Sequence, residues 1–146
     1  MVLSKRLQTI DNYGVSNCQS LSYVYALSNV TLPTIEEGFL ENCQTKTLYV
    51  GQSCQGTTGG IIIKKAQGTY GDVYYYYENG QMLIYGIGNM ENGGLDGLPW
   101  ESYLSSIKSI RFELGVTSIG SNNFNGGTAL ENVTISSTVA SIGDSA

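Results

Sequence analysis

The stretch that decides the fold reads Ile107-Lys-Ser-Ile-Arg-Phe-Glu-Leu-Gly-Val-Thr-Ser-Ile-Gly120. The same apolar pattern returns 23 residues later as Leu130-Glu-Asn-Val-Thr-Ile-Ser-Ser-Thr-Val-Ala-Ser-Ile-Gly143. Within each copy, Ser109 to Phe112 and Asn132 to Ile135 alternate polar and apolar residues, which is typical of a short half-buried strand. A repeat of this length, with one short strand per turn, predicts a mostly β solenoid.

A weaker form of this rhythm occurs near the amino terminus. Leu7, Ile10, Val15 and Cys18 follow the spacing of the C-terminal repeat, and the turn from Leu21 to Cys43 is irregular. Cys18 and Cys43 fall at one repeat position, so stacked turns could place them face to face. The alternatives are a disulfide and two small apolar residues in a buried column, and strict disulfide geometry favours the second. We expect all three cysteines to be unpaired and mostly buried.

The 23-residue rhythm is absent from about Gly51 to Trp100, where glycine and tyrosine concentrate. Val73 to Tyr77 and Gln81 to Tyr85 flank Asn79-Gly80, which predicts a β-hairpin with a type I′ turn. Ile61 to Lys65 is expected to add a further strand to the same sheet.

Composition excludes several classes of function. The chain has 146 residues, 7 Lys and Arg against 12 Asp and Glu, and a formal net charge of -5, so nucleic acid is an unexpected partner. The absence of histidine excludes Ser-His-Asp and Cys-His catalysis and imidazole metal ligation. We expect no metal and no cofactor. No apolar run is long enough to span a membrane, and Met1 to Val30 lacks a signal-peptide pattern.

These residues resemble the BspA-like leucine-rich repeat family of surface antigens and adhesins in bacteria and some protists. Both C-terminal repeats carry the resemblance, with Asn123-Phe124 and Gly127 at the places of the family's Ala-Phe pair and its small residue. A second piece is similar to the glycine-rich β unit that often precedes such arrays, and its residues are Gly68-Thr-Tyr-Gly-Asp72, Glu78-Asn-Gly-Gln-Met-Leu-Ile84, Gly86-Ile-Gly-Asn-Met90 and Pro99-Trp100.

The resemblance implies three segments: degenerate leucine-rich repeats over 1–50, a glycine- and tyrosine-rich β unit over 51–100, and BspA-like repeats over 101–146. The sequence begins inside one repeat and ends where a further Phe is expected, so we expect a fragment of a longer array. The family's link with adhesion implies a non-enzymatic cell-surface or extracellular module that binds a protein or glycoconjugate on a host or matrix surface.

The candidate binding residues are the outward-facing strand residues Ser109, Arg111, Asn132 and Thr134. Asn29 and Asn132 begin Asn-Val-Thr triplets and are candidate glycosylation sites. Among the tyrosines of the run Tyr74 to Tyr77, only every second ring can share a face, so we expect one pair to pack on its own sheet. Trp100 is expected to cover the solenoid core.

Two alternative functions remain open from the sequence. One is a carbohydrate-active enzyme fragment that uses Asp72 and Glu78 as paired carboxylates. The other is a structural spacer with no ligand.

Overall fold

The computed structural model describes residues 1–3, 7–11, 13–26, 34–36, 38–54, 60–94 and 97–146. The chain forms two compact units, Met1–Ala66 and Gln67–Ala146. The predicted division into three segments rests on the repeat sequence, and it stays a prediction. The predicted mostly β fold, built of short strands, is confirmed.

Short parallel strands build the first unit. They are β1 (Val2–Leu3), β2 (Thr9–Ile10), β3 (Val24–Ala26), β4 (Thr34–Ile35), β5 (Thr47–Val50) and β6 (Ile62–Lys65). One sheet has the order β1-β3-β5-β6, and β2 pairs with β4 in a second. The offsets between paired strands vary, because Val2 lies opposite Tyr25, whereas Val24 lies opposite Leu48 and Thr9 opposite Thr34. The N-terminal turns are therefore stacked like repeats but differ in length.

The second unit contains β7 (Gly68–Tyr70), β8 (Val73–Glu78), β9 (Gln81–Gly86), β10 (Gly88–Asn89), β11 (Ser109–Phe112), β12 (Val116–Ile119), β13 (Asn132–Ile135) and β14 (Ser141–Ile142). A 3₁₀ helix, Glu101–Ser106, precedes β11. The larger sheet has the order β13-β11-β9-β8-β7, and a smaller one has the order β10-β12-β14. Each C-terminal repeat thus supplies one strand to each sheet.

The predicted hairpin is confirmed. β8 and β9 pair antiparallel, with Glu78 opposite Gln81, and the turn residues Asn79 and Gly80 have φ of 51° and 82°. Two successive positive φ values are what a type I′ turn requires, and Asn-Gly adopts them most readily.

The strand predicted at Ile61 to Lys65 exists, but its predicted sheet is wrong. β6 pairs parallel with β5 of the first unit, with Thr47 opposite Ile62. The hairpin is instead extended by β7, in which Gly68 lies opposite Tyr75. A short apolar run does not specify which strand it pairs with. The sequence of Ile61 to Lys65 therefore could not identify β5 as its partner.

Each unit has its own apolar core. Among the described residues, the first core contains ten buried residues, which include Val24, Phe39 and Leu48. The second is built around Trp100, Ile84 and Phe112. Trp100 is fully buried and stacks on Phe124 with ring centroids 5.3 Å apart, while its Nε1–H donates to the Asn123 carbonyl oxygen at 2.8 Å. The predicted structural role of Trp100 in covering the core therefore agrees with its position.

The repeat glycines permit close approach between neighbouring backbones. A Cβ on Gly120 would overlap the Glu91 carbonyl oxygen, and one on Gly143 would lie 2.5 Å from the Ser121 nitrogen. Because neither glycine has a positive φ, they are required by contact distance rather than by backbone conformation.

We expect Gly120→Ala to lower the free energy of unfolding by about 2 kcal/mol, because the Glu91 backbone must move to admit the methyl group. Gly94→Ala is the matched control, since a Cβ there meets nothing within 4 Å; it should change stability by less than about 0.5 kcal/mol. Urea unfolding followed by tryptophan fluorescence measures both. Equal losses in the two variants would contradict the close-approach explanation.

We expect Trp100→Ala to cost about 3–5 kcal/mol, because it removes the largest buried side chain of the second unit. Trp100→Phe keeps a ring against Phe124 and should cost less. Urea unfolding followed by circular dichroism compares the two variants. A change below about 1 kcal/mol for Trp100→Ala would show that this side chain does not hold the core together.

Candidate interaction face

Three parallel strands align side chains from successive turns into two rows. Ser109 lies opposite Gln81 on one side and Asn132 on the other. Arg111 likewise lies between Leu83 and Thr134. We call these six residues, Gln81, Leu83, Ser109, Arg111, Asn132 and Thr134, the outer rows. Adjacent strands in a sheet are about 4.8 Å apart, so each row holds three side chains at a regular spacing, and of the six only Leu83 is buried.

The alternation of the repeat strand points these residues away from the core. In β11, Ile110 and Phe112 are buried, whereas Ser109 and Arg111 are half-buried. Successive side chains of a strand point to opposite faces, so packing two of them fixes the direction of the other two. The structure therefore brings together all four predicted binding residues, and their role in binding stays a prediction.

Sequence reasoning missed the β9 members of the outer rows. The sequence predicts Gln81 and Leu83 only as part of the hairpin, although β9 also pairs parallel with the first repeat strand. The usable signal is the apolar pair Met82 and Ile84, which are buried like Ile110 and Phe112 of β11, although Leu83 between them is also buried. The hairpin thus supplies one strand to the repeat sheet and one row position to each outer row.

An ion pair fixes the position of the charged member of the outer rows. The Arg111 Nε–H donates to Glu113 Oε1 at 3.0 Å, with the two side chains 39% and 14% exposed. A partly exposed pair of this kind contributes under about 1 kcal/mol to stability. Its main effect is to orient the guanidinium, a group suited to bidentate contacts with carboxylates and other planar acceptors.

The last described turn is more exposed than the alternation predicts. All of β13 is exposed, including Val133 at 49% and Ile135 at 43%, because it is the edge strand of its sheet. The half-buried strand predicted from the sequence therefore exists with its apolar side uncovered. Behind it lies an apolar cavity of about 130 Å³, lined in part by Phe112, Ile119 and Ile135.

Only one of the two glycosylation triplets, that of Asn132, lies within the described residues. Asn29 lies outside the described residues. Asn132 and Thr134 are both exposed on β13, which leaves that triplet accessible. Glycosylation at either residue stays a prediction.

None of the three cysteines forms a disulfide, as predicted, but only one of them is buried. Cys54 is 1% exposed, Cys43 is half-buried and Cys18 is exposed. The prediction of mostly buried thiols is therefore wrong, because the turn that carries Cys18 lies at the surface. Burial raises the pKa of the Cys54 thiol, and the nearby Lys65 lowers it by a smaller amount.

The tyrosine run is divided between the two faces of its strand, as its alternation predicts. Tyr75 is buried and meets Trp100 edge-on with centroids 5.4 Å apart, whereas Tyr74 packs against Tyr85 at 5.5 Å. On the core side Tyr77 stacks on Tyr103 with centroids 4.3 Å apart.

The carboxylates suggested for glycoside hydrolysis are far apart. Asp72 precedes the six-residue strand β8, and Glu78 ends it. At roughly 3.3 Å per residue, the two lie about 20 Å apart along the strand, whereas glycosidase carboxyl groups are about 5–10 Å apart. Asp72 Oδ2 instead accepts a hydrogen bond from the Asn89 backbone N–H at 3.3 Å. These two residues cannot act as a catalytic pair in this structure.

Neither a metal-binding cluster nor a membrane-spanning helix is found in the described part of the chain. Within it, no group of three or more Cys, Asp or Glu side chains is placed to hold a metal ion. None of its helices has the length and apolar character needed to cross a membrane.

The repeat pattern matches a known family. The family described as BspA type Leucine rich repeat region matches residues 1–59 and 102–146, in six copies. The chain belongs to the BspA-type leucine-rich repeat family. This membership confirms the family resemblance. Residues 60–101 lie outside the match, so the likeness of the glycine-rich β unit to its family counterpart stays a prediction.

A leucine-rich repeat protein from Eubacterium ventriosum has a similar solved structure. The identity is 34%, the TM-score is 0.48, and the match covers 51% of this chain and 20% of that one. The BspA-type chain thus corresponds to about a fifth of the length of that protein. No curated protein matches the chain.

The stack of Tyr77 and Tyr103 makes the stability of this BspA-type chain sensitive to alkali. Burial, with smaller contributions from Tyr75 and Tyr77, raises the pKa of Tyr103 to about 12. The phenol of an unfolded chain has a pKa of about 10. The folded state therefore retains this proton where the unfolded state loses it, and the associated stability is present below pH 10 and lost as the pH rises towards 12.

We expect Tyr103→Phe to weaken the loss of stability between about pH 10 and pH 12, because phenylalanine has no proton to lose. Urea midpoints of the variant and the wild type, measured at neutral pH and across this interval, check the prediction. The neutral-pH pair corrects for any loss of packing. Parallel declines in the two proteins would contradict it.

Proposed function

We propose that the chain is a non-enzymatic adhesion module at the cell surface or outside the cell, whose outer rows bind a protein or glycoconjugate on a host or matrix surface. The observation that carries the proposal is the in-register alignment of β9, β11 and β13, which sets six side chains in two rows, five of them partly or fully exposed and one, Leu83, buried. A sheet holds such rows at fixed spacing before any partner arrives, so little order must be gained on binding.

The chemistry of the outer rows suits a polar, extended partner. Gln81, Ser109, Asn132 and Thr134 supply amide and hydroxyl groups that both donate and accept hydrogen bonds. Arg111 adds one positive charge on a chain whose formal net charge is -5. Arginine is among the residues that most often dominate the energy of binding interfaces, so we infer that Arg111 is the anchor.

The surface location rests on the family. BspA-type repeats are typically surface-associated, and the family match supports the same location here. Adhesion to host or matrix surfaces is the finer part of the proposal, and it is supported by that family context together with the geometry of the outer rows.

The test is a binding comparison with the double variant Arg111→Ala/Asn132→Ala. Purified chain is applied to arrays of extracellular-matrix proteins, to glycan arrays and to fixed host cells, and affinities for any partner found are measured. We expect the double variant to weaken binding by at least tenfold, since truncating an anchor at an interface costs upwards of about 1–2 kcal/mol.

Lys108→Ala/Asn125→Ala is the matched control, because both residues are exposed and neither belongs to the outer rows. It removes one positive charge and one amide, as the test variant does, and it should bind like the wild type. Equal weakening by both variants would assign the effect to net charge. Wild-type affinity in the Arg111 and Asn132 variant would overturn the proposed face, and failure to bind any surface would favour a spacer.

A further inference from the structure

Two N-terminal turns stack in register around Cys18 and Cys43. The Asn17 backbone N–H donates to the Glu41 carbonyl oxygen at 2.8 Å, and that of Gln44 donates to the Cys18 carbonyl oxygen at 3.4 Å. Each cysteine follows an asparagine with positive φ, 56° at Asn17 and 55° at Asn42. The two asparagine side chains are joined by a hydrogen bond of 3.2 Å. The same Asn-Cys corner therefore occurs twice, one turn above the other.

The stacking brings the two cysteines within disulfide range. The Cys18 backbone N–H points to Cys43 Sγ, with nitrogen and sulfur 3.4 Å apart. Since an N–Cα bond is about 1.46 Å long, Cys18 Cα lies at most about 5 Å from that sulfur. Neighbouring backbones in such a stack are about 4.8 Å apart, and disulfides join Cα atoms about 4.4–6.8 Å apart.

Rotation of the Cys18 side chain would turn its sulfur away from its present contact and towards Cys43. Cys18 Sγ now lies 3.4 Å from the Ser16 carbonyl oxygen, and Cys43 Sγ lies 3.6 Å from that of Val15. Both contacts are weak sulfur hydrogen bonds, so little opposes a turn of the Cys18 side chain towards Cys43. The exposure of Cys18 gives an oxidant access to one of the two thiols. Cys54 is 1% exposed and is shielded from the same reagent.

We propose that Cys18 and Cys43 are a modification site that forms an inter-turn disulfide when the protein meets a small disulfide oxidant such as oxidised glutathione. The Cys18 thiolate attacks one sulfur of the oxidant, which releases one reduced thiol and leaves a mixed disulfide. The Cys43 thiolate then attacks the Cys18 sulfur and releases the second thiol. Two protein thiols are oxidised, one disulfide of the oxidant is reduced to two thiols, and the two protons pass to those products.

The bridge would cross-link two stacked turns of the first unit. It closes a loop from residue 18 to residue 43, which lies in the first unit and is separate from the outer rows. Closing a loop of this length restricts the unfolded chain and so stabilises the folded unit. The inference does not depend on the proposed adhesion function.

The experiment equilibrates the full chain with mixtures of reduced and oxidised glutathione and measures intact mass, peptide linkage and melting temperature. Cys54→Ala provides a background without the third thiol, and Cys18→Ser/Cys54→Ala is its control with one thiol left. We expect the first variant to lose the mass of two hydrogens and to yield a Cys18–Cys43 linked peptide. Its melting temperature should rise by about 10 °C on oxidation, and the control should show no such rise.

Wild-type chain is mapped in parallel, so the result does not depend on the folding of the variants. A Cys18–Cys43 linked peptide as the main oxidised product supports the proposal. Stable glutathione adducts without a linked peptide, a link to Cys54, or disulfide-bonded dimers would each overturn it.

Discussion

The constraint on which the structure depends is backbone pairing between successive turns in fixed register. Ser109 pairs with Asn132 and Ser118 with Ser141, so both strands of one C-terminal turn are shifted by the same 23 positions relative to the next. A slip of one residue would turn every buried side chain outward. The apolar alternation of each turn and its backbone hydrogen bonds therefore favour the same register. A shifted register would lose both the burial of apolar side chains and the pairing of the backbone.

Between the strands, where backbone pairing is interrupted, side-chain hydroxyl groups make the hydrogen bonds between neighbouring turns. Ser136 Oγ donates to the Glu113 carbonyl oxygen at 3.1 Å, and Thr138 Oγ1 donates to that of Val116 at 2.9 Å. The Gly115 N–H in turn donates to Thr138 Oγ1 at 3.0 Å. Corners of a repeat expose backbone groups that lack strand partners, and short polar side chains can satisfy them. This explains why polar residues lie between the strands in the repeat sequence.

The regular parts of the fold were predictable from the sequence, and the irregular parts were not. The two C-terminal strands and the Asn79-Gly80 hairpin follow from local signals, since alternation and turn chemistry act over a few residues. The sheet of β6 and the double pairing of β9 depend on distant partners, which a short apolar run does not specify. The exposure of Cys18 was missed for a similar reason, because a repeat position predicts the neighbour of a residue better than its distance from solvent.

Within the outer rows, the features that fix the position of a residue differ from those that determine its function. Burial of Ile110 and Phe112 and pairing with two neighbouring strands fix the position of Ser109 and Arg111 without using their side chains for the core. The identity of these side chains is then limited mainly by solubility and by what they bind, since function resides in sites carried by a fold. Sequence pattern could locate the four row residues of β11 and β13, because the alternation of the repeat indicates which positions face outward. It could not name a ligand, because one strand alternation is compatible with many outward chemistries.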